Sequence, residues 1–147
     1  MFRAKTVLVA VDFSETSEKA IETAIEVAAK FDGRVVLLHA YEIPALGFPD
    51  GVLVASSDVV SRIGTAAQTA LADLTDKYRG RVPLETLLRT GPAYETVNAV
   101  AEELGADLIV IGTHGRKGLA RALLGSVAEN IIRTATRPVI VLHGPRD

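Results

Sequence analysis

The strongest constraint on the fold is a regular alternation of two kinds of apolar pattern along the chain. Short uninterrupted aliphatic runs, of which residues 7–11 (Val-Leu-Val-Ala-Val) are the first, are typical of strands buried on both faces of a parallel sheet. Between these runs, apolar residues recur at helical spacing. The pattern predicts five strands, at residues 7–11, 35–40, 82–88, 107–111 and 138–142, and four helices, at residues 14–31, 58–79, 94–104 and 126–134.

Strands that alternate with helices in this way predict an α/β fold: a five-stranded, doubly wound parallel sheet with helices on both faces. No linker or repeat divides the sequence, so residues 1–147 are expected to form one domain. The third strand is more polar than the others and is expected near a sheet edge. Residues 41–57 contain Pro44, Gly47, Pro49 and Gly51, which interrupt regular structure, and the sequence predicts a mobile loop there that folds over something.

The composition excludes several classes of protein. Hydrophobic residues make up 48% of the chain and charged residues 23%, which indicates a globular protein. A net charge of −2 gives no electrostatic reason for binding nucleic acid or an anionic membrane. The absence of cysteine excludes disulfides and Cys-ligated zinc. Because no stretch approaches the ~18 apolar residues of a membrane-spanning helix, we expect a cytoplasmic protein.

The ends of the predicted strands indicate where a ligand would bind. In open α/β sheets, ligands bind outside the carboxyl ends of the strands, at the point where the strand order reverses. If the first strand is central, this point lies between the first and fourth strands. Asp12 directly follows the first strand, and Gly112 follows the fourth. Asp12 is expected to contact a ribose, a base or a metal, although an acid at this position also suits the start of a helix.

The segment after the fourth strand has the composition of a phosphate site. Residues 112–118 read Gly-Thr-His-Gly-Arg-Lys-Gly, and Gly125-Ser126 then begins the fourth predicted helix. Glycine lets the backbone approach a ligand closely, and free amides at a helix N-terminus favour an anion. Arg116 and Arg121 could add positive charge, although loop cations are more often solvated.

The spacing of these residues carries a resemblance to a known family. Gly112, Gly115, Gly125 and Ser126 follow the pattern G-x2-G-x9-G-[S/T], which is similar to the ATP-binding motif of universal stress proteins. The flanking strand and helix also resemble that family, and the resemblance extends from about Lys5 to Leu142. It implies a Rossmann-like sheet, similar to that of adenine nucleotide alpha hydrolases, with strand order 3-2-1-4-5.

The resemblance also implies a ligand and the residues that hold it. The ligand is ATP, accompanied by Mg²⁺ or Mn²⁺. Family members commonly form dimers through the last strand, which implies a homodimer through residues 138–142. The implied ATP-binding residues are Asp12 near the nucleoside, Ala40 and Ile111 around adenine, and Gly112, Gly115, Gly125, Ser126 and the Val127 amide at the phosphates. Arg116 is added to this predicted ATP site for its positive charge in the loop.

Two functions remain open at this point. The first is a nucleotide-dependent regulatory or stress-response module without efficient turnover, and the second is a slow ATPase or self-phosphorylating enzyme. Ser14, Thr113 and Ser126 could accept a phosphoryl group, but no residue is identified as the base that would activate them, so no catalytic residue is predicted. A P-loop kinase and a phospho-receiver domain are excluded because their motifs do not occur.

Overall fold

The computed structural model describes residues 1–43, 45–54, 56–113 and 125–144, and this part of the chain forms seven strands and four helices. The strands are β1 (Thr6–Ala10), β2 (Arg34–Tyr41), β3 (Ala45–Phe48), β4 (Gly51–Val54), β5 (Leu84–Thr90), β6 (Leu108–Gly112) and β7 (Val139–Leu142). The helices are α1 (Glu15–Lys30), α2 (Ser57–Tyr78), α3 (Ala93–Leu104) and α4 (Ser126–Thr134).

Five of the strands form one parallel sheet in the order β5-β2-β1-β6-β7. With the hairpin strands β3 and β4 set aside, this is the order 3-2-1-4-5, so the predicted α/β fold is confirmed. β1 lies at the centre, where Val7 pairs with Val35 of β2 and with Leu108 of β6. The strand order therefore reverses between β1 and β6, and the more polar β5 is an edge strand as expected.

Alternate residues of the strands point into two separate cores, one on each face of the sheet. Helices α1 and α2 cover one face, and α3 and α4 cover the other. This follows from the continuous apolar runs, since a strand with both faces covered needs no polar side. The first core contains Val7, Val9, Leu37 and Val110 with Ile21, Ile25 and Leu71, and the second contains Leu8, Leu38, Ile109 and Ile111 with Val97, Val100 and Ile131.

The segment between β2 and α2 corrects one expectation from the sequence. Residues 41–57 were expected to form a mobile loop, but β3 and β4 pair there as an antiparallel hairpin, with Phe48 opposite Gly51. Pro49 and Asp50 form the turn of this hairpin. Pro49, which suggested an irregular loop, therefore lies in the turn between two short strands.

Local signals in the sequence fix the ends of the helices. α1 begins after Ser14, whose side-chain oxygen accepts a hydrogen bond from the Ser17 amide at 3.1 Å. α3 ends at Gly105, which adopts the left-handed conformation with φ 62°. None of the helices in the described ranges combines the length and the apolar character that crossing a membrane requires.

Candidate functional site

A cavity of about 380 Å³ lies at the carboxyl ends of β1, β2 and β6. Its position agrees with the predicted binding point, where the strand order reverses. Its volume falls within the range of about 300–1,000 Å³ that small-molecule sites occupy. The cavity is lined by Ala10, Val11, Asp12, Ser17, Leu38, His39, Ala40, Ala93, Val97, Ile111, Gly112, Thr113, Gly125, Ser126, Val127 and Ala128.

One wall of the cavity is apolar. Ala40 and Ile111 line it from the ends of β2 and β6, and Ala93 and Val97 line it from the first two turns of α3. These four residues present only apolar side chains to the cavity. Ala40 and Ile111 were predicted from the sequence, whereas the contribution of α3 was not.

The N-terminus of α4 opens onto the cavity, and no side chain in the described ranges caps it. Gly125 is the N-cap residue, and its carbonyl accepts the first helical hydrogen bond from the Glu129 amide at 3.0 Å. The amides of Ser126, Val127 and Ala128 precede this bond and have no acceptor within the helix. All three residues line the cavity. Free amides together with the helix dipole favour an anion at this end.

The loop that leads into α4 is closed at its base by a hydrogen bond. The Gly125 amide donates to the Thr113 carbonyl at 2.7 Å, and the Thr113 amide donates to the Leu142 carbonyl at 2.8 Å. Thr113 is therefore joined both to the end of β7 and to the start of α4. These bonds fix Gly125 beside the end of β6, which is where the sequence motif requires it.

Asp12 lies at the edge of the cavity and is also part of the cap of α1. Its Oδ1 accepts hydrogen bonds from the Ser14 amide at 3.0 Å and from the Ser14 hydroxyl at 2.5 Å. The Asp12 amide in turn donates to Ser17 Oγ at 3.2 Å. The two sequence interpretations of Asp12 are therefore compatible, because one carboxylate both supports the helix start and lines the cavity.

Phe13 and His39 form an aromatic contact beside Asp12. Phe13 has a φ of 65°, a left-handed conformation that bulky residues rarely adopt, and its ring centroid lies 4.6 Å from that of His39. His39 Nδ1 lies 2.6 Å from the Val11 carbonyl oxygen. Because a carbonyl only accepts, Nδ1 carries the hydrogen of this bond. His39 is thus held by Val11, directly after β1, and it also lines the cavity.

The structure gives a packing reason for the glycine at position 112 that the sequence did not reveal. A Cβ atom at this position would lie 2.6 Å from Thr16 Cγ2 and 3.3 Å from the Thr16 carbonyl carbon. The first turn of α1 therefore packs directly onto the end of β6, and only a glycine fits between them. Gly112 lines the cavity as predicted, but close packing against Thr16 is sufficient to explain why it is a glycine.

The structure places the predicted site residues as follows. Seven of them line the cavity: Asp12, Ala40, Ile111, Gly112, Gly125, Ser126 and Val127. Gly115 and Arg116 lie outside the described residues. Sequence reasoning did not assign the other lining residues to the nucleotide site. They come from β1, β2, α1, α3 and α4 and from the positions directly after β1 and β6: Ala10, Val11, Ser17, Leu38, His39, Ala93, Val97, Thr113 and Ala128.

Comparison with known proteins identifies the family. The model of the universal stress protein family matches residues 3–143. Universal stress protein MJ0531 of Methanocaldococcus jannaschii is 35% identical over 144 residues, which cover 97% of this chain and 84% of that protein. Universal stress protein A homolog 1 of Coxiella burnetii is 34% identical over 142 residues, covering 94% and 95%. The chain belongs to the universal stress protein family.

Solved structures of universal stress proteins share the fold. A structure of the protein MJ0577 superposes with a TM-score of 0.82 at 23% identity, covering 98% of this chain and 99% of that one. A universal stress protein crystallised in complex with cAMP superposes with a TM-score of 0.73 at 27% identity, covering 97% and 99%. The resemblance seen in the sequence and the Rossmann-like fold are thus both confirmed.

Proposed function

We propose that this universal stress protein binds an adenine nucleotide, ATP with Mg²⁺ or Mn²⁺, in the cavity at the carboxyl end of the sheet. The observation that carries the proposal is the uncapped start of α4, where the amides of Ser126, Val127 and Ala128 border the cavity. An anionic group accepts hydrogen bonds from such amides and is stabilised by the helix dipole. A phosphate chain has the charge and the acceptors that this end of the helix requires.

The shape and polarity of the cavity support a particular orientation of the nucleotide. The phosphates would lie at Gly125 and the α4 amides, with Gly115 contributing as the family motif implies and Arg116 contributing its positive charge. The adenine ring would lie in the apolar part of the cavity, between Ala40 and Ile111. The relative crystallised with cAMP, a molecule with an adenine ring and a phosphate, supports this class of ligand.

Asp12 is the residue that fits a role towards the metal or the ribose. It is the one carboxylate among the cavity-lining residues of the described chain, and no group of three metal-ligating side chains occurs in these ranges. Mg²⁺ is usually held by one or two carboxylates and the phosphates of its nucleotide, so a single aspartate is compatible with it. Bound there, the metal would neutralise phosphate charge next to the acidic start of α1.

We propose a regulatory or stress-response module rather than an efficient enzyme. The Asp12 carboxylate accepts two hydrogen bonds from Ser14, and the His39 ring is held by Val11. Both side chains are fixed by the protein fold. The Ser14 hydroxyl that donates to Asp12 also accepts from the Ser17 amide, so it caps α1, and Ser14 is not among the residues that line the cavity. Slow hydrolysis or self-phosphorylation is the alternative, and it would show as ADP formation in the binding experiment.

We further propose a homodimer that forms through the edge strand β7. The carbonyls of Pro138 and Leu142 accept bonds from β6, so the alternation along the strand turns the amides and carbonyls of Val139 and Val141 outwards. An unpaired edge of this kind invites pairing with another chain. Light scattering should give twice the 15.6 kDa of one chain. Val141→Pro, which removes an outward amide, should give the monomer, and an unchanged mass would contradict pairing through β7.

The nucleotide proposal is tested by recovery and titration. The protein is purified without added nucleotide and denatured, and any released nucleotide is identified by chromatography. The stripped protein is then titrated with Mg-ATP by calorimetry. We expect co-purified adenine nucleotide or a Kd of about 10 μM or tighter, corresponding to about −7 kcal/mol. A lack of binding at millimolar Mg-ATP would overturn the proposal, and conversion to ADP during the titration would favour the enzyme.

A further inference from the structure

A buried hydroxyl without a partner lies at the root of the loop that precedes α4. The Thr113 side chain is 2% exposed, and its Oγ1 has no hydrogen-bond partner in the described part of the protein. A buried hydroxyl in this state destabilises the fold, and valine has nearly the same shape without that penalty. Such a group requires an explanation, and a partner that arrives with the ligand is one.

The position of Thr113 distinguishes it from the other buried polar atoms that lack partners. Asn98 Oδ1 and Arg137 Nε also lack partners in the described ranges, but each side chain makes another hydrogen bond, Asn98 to Thr134 and Arg137 to Glu102. Neither residue lines the cavity. Thr113 does line it, and its hydroxyl makes no other bond.

The backbone of Thr113 is fully bonded, so the side chain is held in place while its hydroxyl is not used. Its amide donates to Leu142 and its carbonyl accepts from Gly125, the N-cap residue of α4. The backbone of Thr113 is therefore joined to Gly125, the residue directly before the free amides of the first turn of α4. Neighbouring donors of this kind converge on one anion, because each stabilises the same negative charge.

We infer that the Thr113 hydroxyl donates a hydrogen bond to the phosphate chain of the bound nucleotide. This inference rests on the proposed function, since it names a contact within the same site. The hydroxyl is shielded from solvent in the ligand-free protein, and rotation about χ1 moves it between the three staggered positions on Cβ. Nucleotide binding selects the rotamer in which the oxygen faces the phosphate, and the hydroxyl then has its partner.

The test compares Thr113→Val with Thr113→Ser, in the full chain, by thermal unfolding without nucleotide and by calorimetric titration. Thr113→Val should bind Mg-ATP about tenfold more weakly or worse, because a hydrogen bond to a charged group is lost. Without nucleotide it should be at least as stable as the unmodified protein. Thr113→Ser, which keeps the hydroxyl, should bind Mg-ATP within about threefold of the unmodified protein.

Adenosine identifies the part of the nucleotide that Thr113 contacts. Thr113→Val should bind adenosine as the unmodified protein does, because adenosine has no phosphate. Thr75→Val is the matched control: Thr75 Oγ1 donates to the Leu71 carbonyl on the opposite face of the sheet, at 3.1 Å, so its loss should leave both affinities unchanged.

Three outcomes would overturn the inference. Unchanged Mg-ATP affinity in Thr113→Val would show that the hydroxyl makes no contact with the ligand. Reduced stability of this variant without nucleotide would show that the hydroxyl has a partner within the protein. An equal loss of affinity for adenosine would place the contact away from the phosphates. In each case the unmodified protein still binds Mg-ATP, whereas failure of the unmodified protein to bind would overturn the proposed function as well.

Discussion

The N-termini of α1 and α4 lie at the same end of the sheet, after the neighbouring strands β1 and β6, but they are completed in different ways. At α1, the Ser14 side chain accepts from the Ser17 amide, and Asp12 accepts from Ser14. At α4, the N-cap is Gly125, and no side chain of the described residues caps the helix. The positive end of one helix is satisfied by side chains of its own sequence, whereas the amides at the positive end of the other have no side-chain acceptor among the described residues.

This difference makes the electrostatic environment of the cavity more negative beside α1 than beside α4. At the start of α1, Asp12 lines the cavity, while the first-turn acids are Glu15 and Glu18, of which Glu18 pairs with Lys77. The first turn of α4 contains one acid, Glu129, which pairs with Arg133 at 2.8 Å. An anion is therefore repelled from the α1 side and attracted to the α4 side. A nucleotide would place its phosphates at α4 and its uncharged ribose towards Asp12, which can accept hydrogen bonds from hydroxyl groups.

The largest effect is expected when α4 is given an acidic side chain at its N-cap, so that it is capped by its own sequence as α1 is. Gly125→Asp places a carboxylate where it can accept from the first-turn amides, at φ −62° and ψ 153°, backbone angles that aspartate adopts readily. We expect Mg-ATP affinity to fall by about 100-fold or more, since the amides are occupied and like charges repel. The unfolding free energy should be unchanged or higher by up to about 1 kcal/mol. Calorimetry and urea denaturation measure the two quantities.

Gly125→Asn is the matched control, because it can cap the helix in the same way without a charge. Its affinity for Mg-ATP should lie between those of the unmodified protein and Gly125→Asp. If Gly125→Asp binds Mg-ATP normally, the anion does not lie at α4, and the open helix end has another cause.

The second prediction concerns Gly112, which lies between the two helix starts. Gly112→Ala should lower the unfolding free energy by about 1–3 kcal/mol, since the added Cβ meets Thr16 at 2.6 Å. Thr16→Ser removes the nearest atom, Cγ2, so the double variant should recover part of this loss. Urea denaturation of both single variants and the double variant completes the cycle. Additive losses would show that contact with Thr16 is not the reason for the glycine.

Much of the fold followed from the sequence because its signals are local. Continuous aliphatic runs predicted the buried strands, and Ser14 and Gly105 marked the ends of helices that the structure confirms. The hairpin of β3 and β4 was missed because its strands are only four residues long and its turn residues suggested irregular structure. Strands this short give too few residues for a periodic signal that distinguishes them from a loop.

The site was predictable only where it followed the chain closely. Asp12, Gly112 and Gly125 directly follow or precede regular elements, and their positions could be inferred from the topology of the sheet. Ala93 and Val97 reach the cavity because α3 packs on the same face as α4, a relation that no local pattern encodes. The packing cause of Gly112 was equally hidden, because it depends on the distance between two elements that are far apart in sequence.

The third prediction concerns the loss of the side-chain cap at the start of α1, the feature that distinguishes α1 from α4. Ser14→Ala should lower the unfolding free energy by about 1 kcal/mol, because the Ser17 amide loses its acceptor. It should also weaken Mg-ATP binding by about threefold, since the Asp12 carboxylate is no longer held by Ser14. Urea denaturation and calorimetry check the two effects.

Ser56→Ala is the control for that variant. Ser56 caps α2, where it accepts from the Val59 amide at 3.3 Å, and it does not line the cavity. It should destabilise the protein by a similar or smaller amount while leaving Mg-ATP affinity unchanged. Equal effects of the two variants on affinity would show that binding responds to general stability and not to the start of α1.

The smallest effect is expected from removing the ion pair between Glu18 of α1 and Lys77 of α2. The hydrogen bond from the Lys77 ammonium, aided by that from the Tyr78 hydroxyl, lowers the pKa of Glu18 below its usual 4.5, against the opposing effect of burial. A lowered folded-state pKa stabilises the protein above pH 4.5, and this contribution is lost as the pH falls through the lowered value. Glu18→Gln should therefore lower the thermal midpoint by only about 1 °C at pH 7, because the pair is largely solvated. The difference from the unmodified protein should shrink below pH 4.5.

Glu129→Gln tests whether this contribution is specific to α1. Glu129 is also a first-turn acid, but its partner Arg133 lies one turn further along the same exposed helix. Such a pair joins no second element, so its loss should change the thermal midpoint at pH 7 by less than the loss of Glu18, which bridges α1 to α2. If the two substitutions have equal effects, or if the Glu18→Gln difference persists undiminished at pH 3, the contact with Lys77 is not what stabilises the start of α1. The two helix starts would then differ in their hydrogen bonds alone.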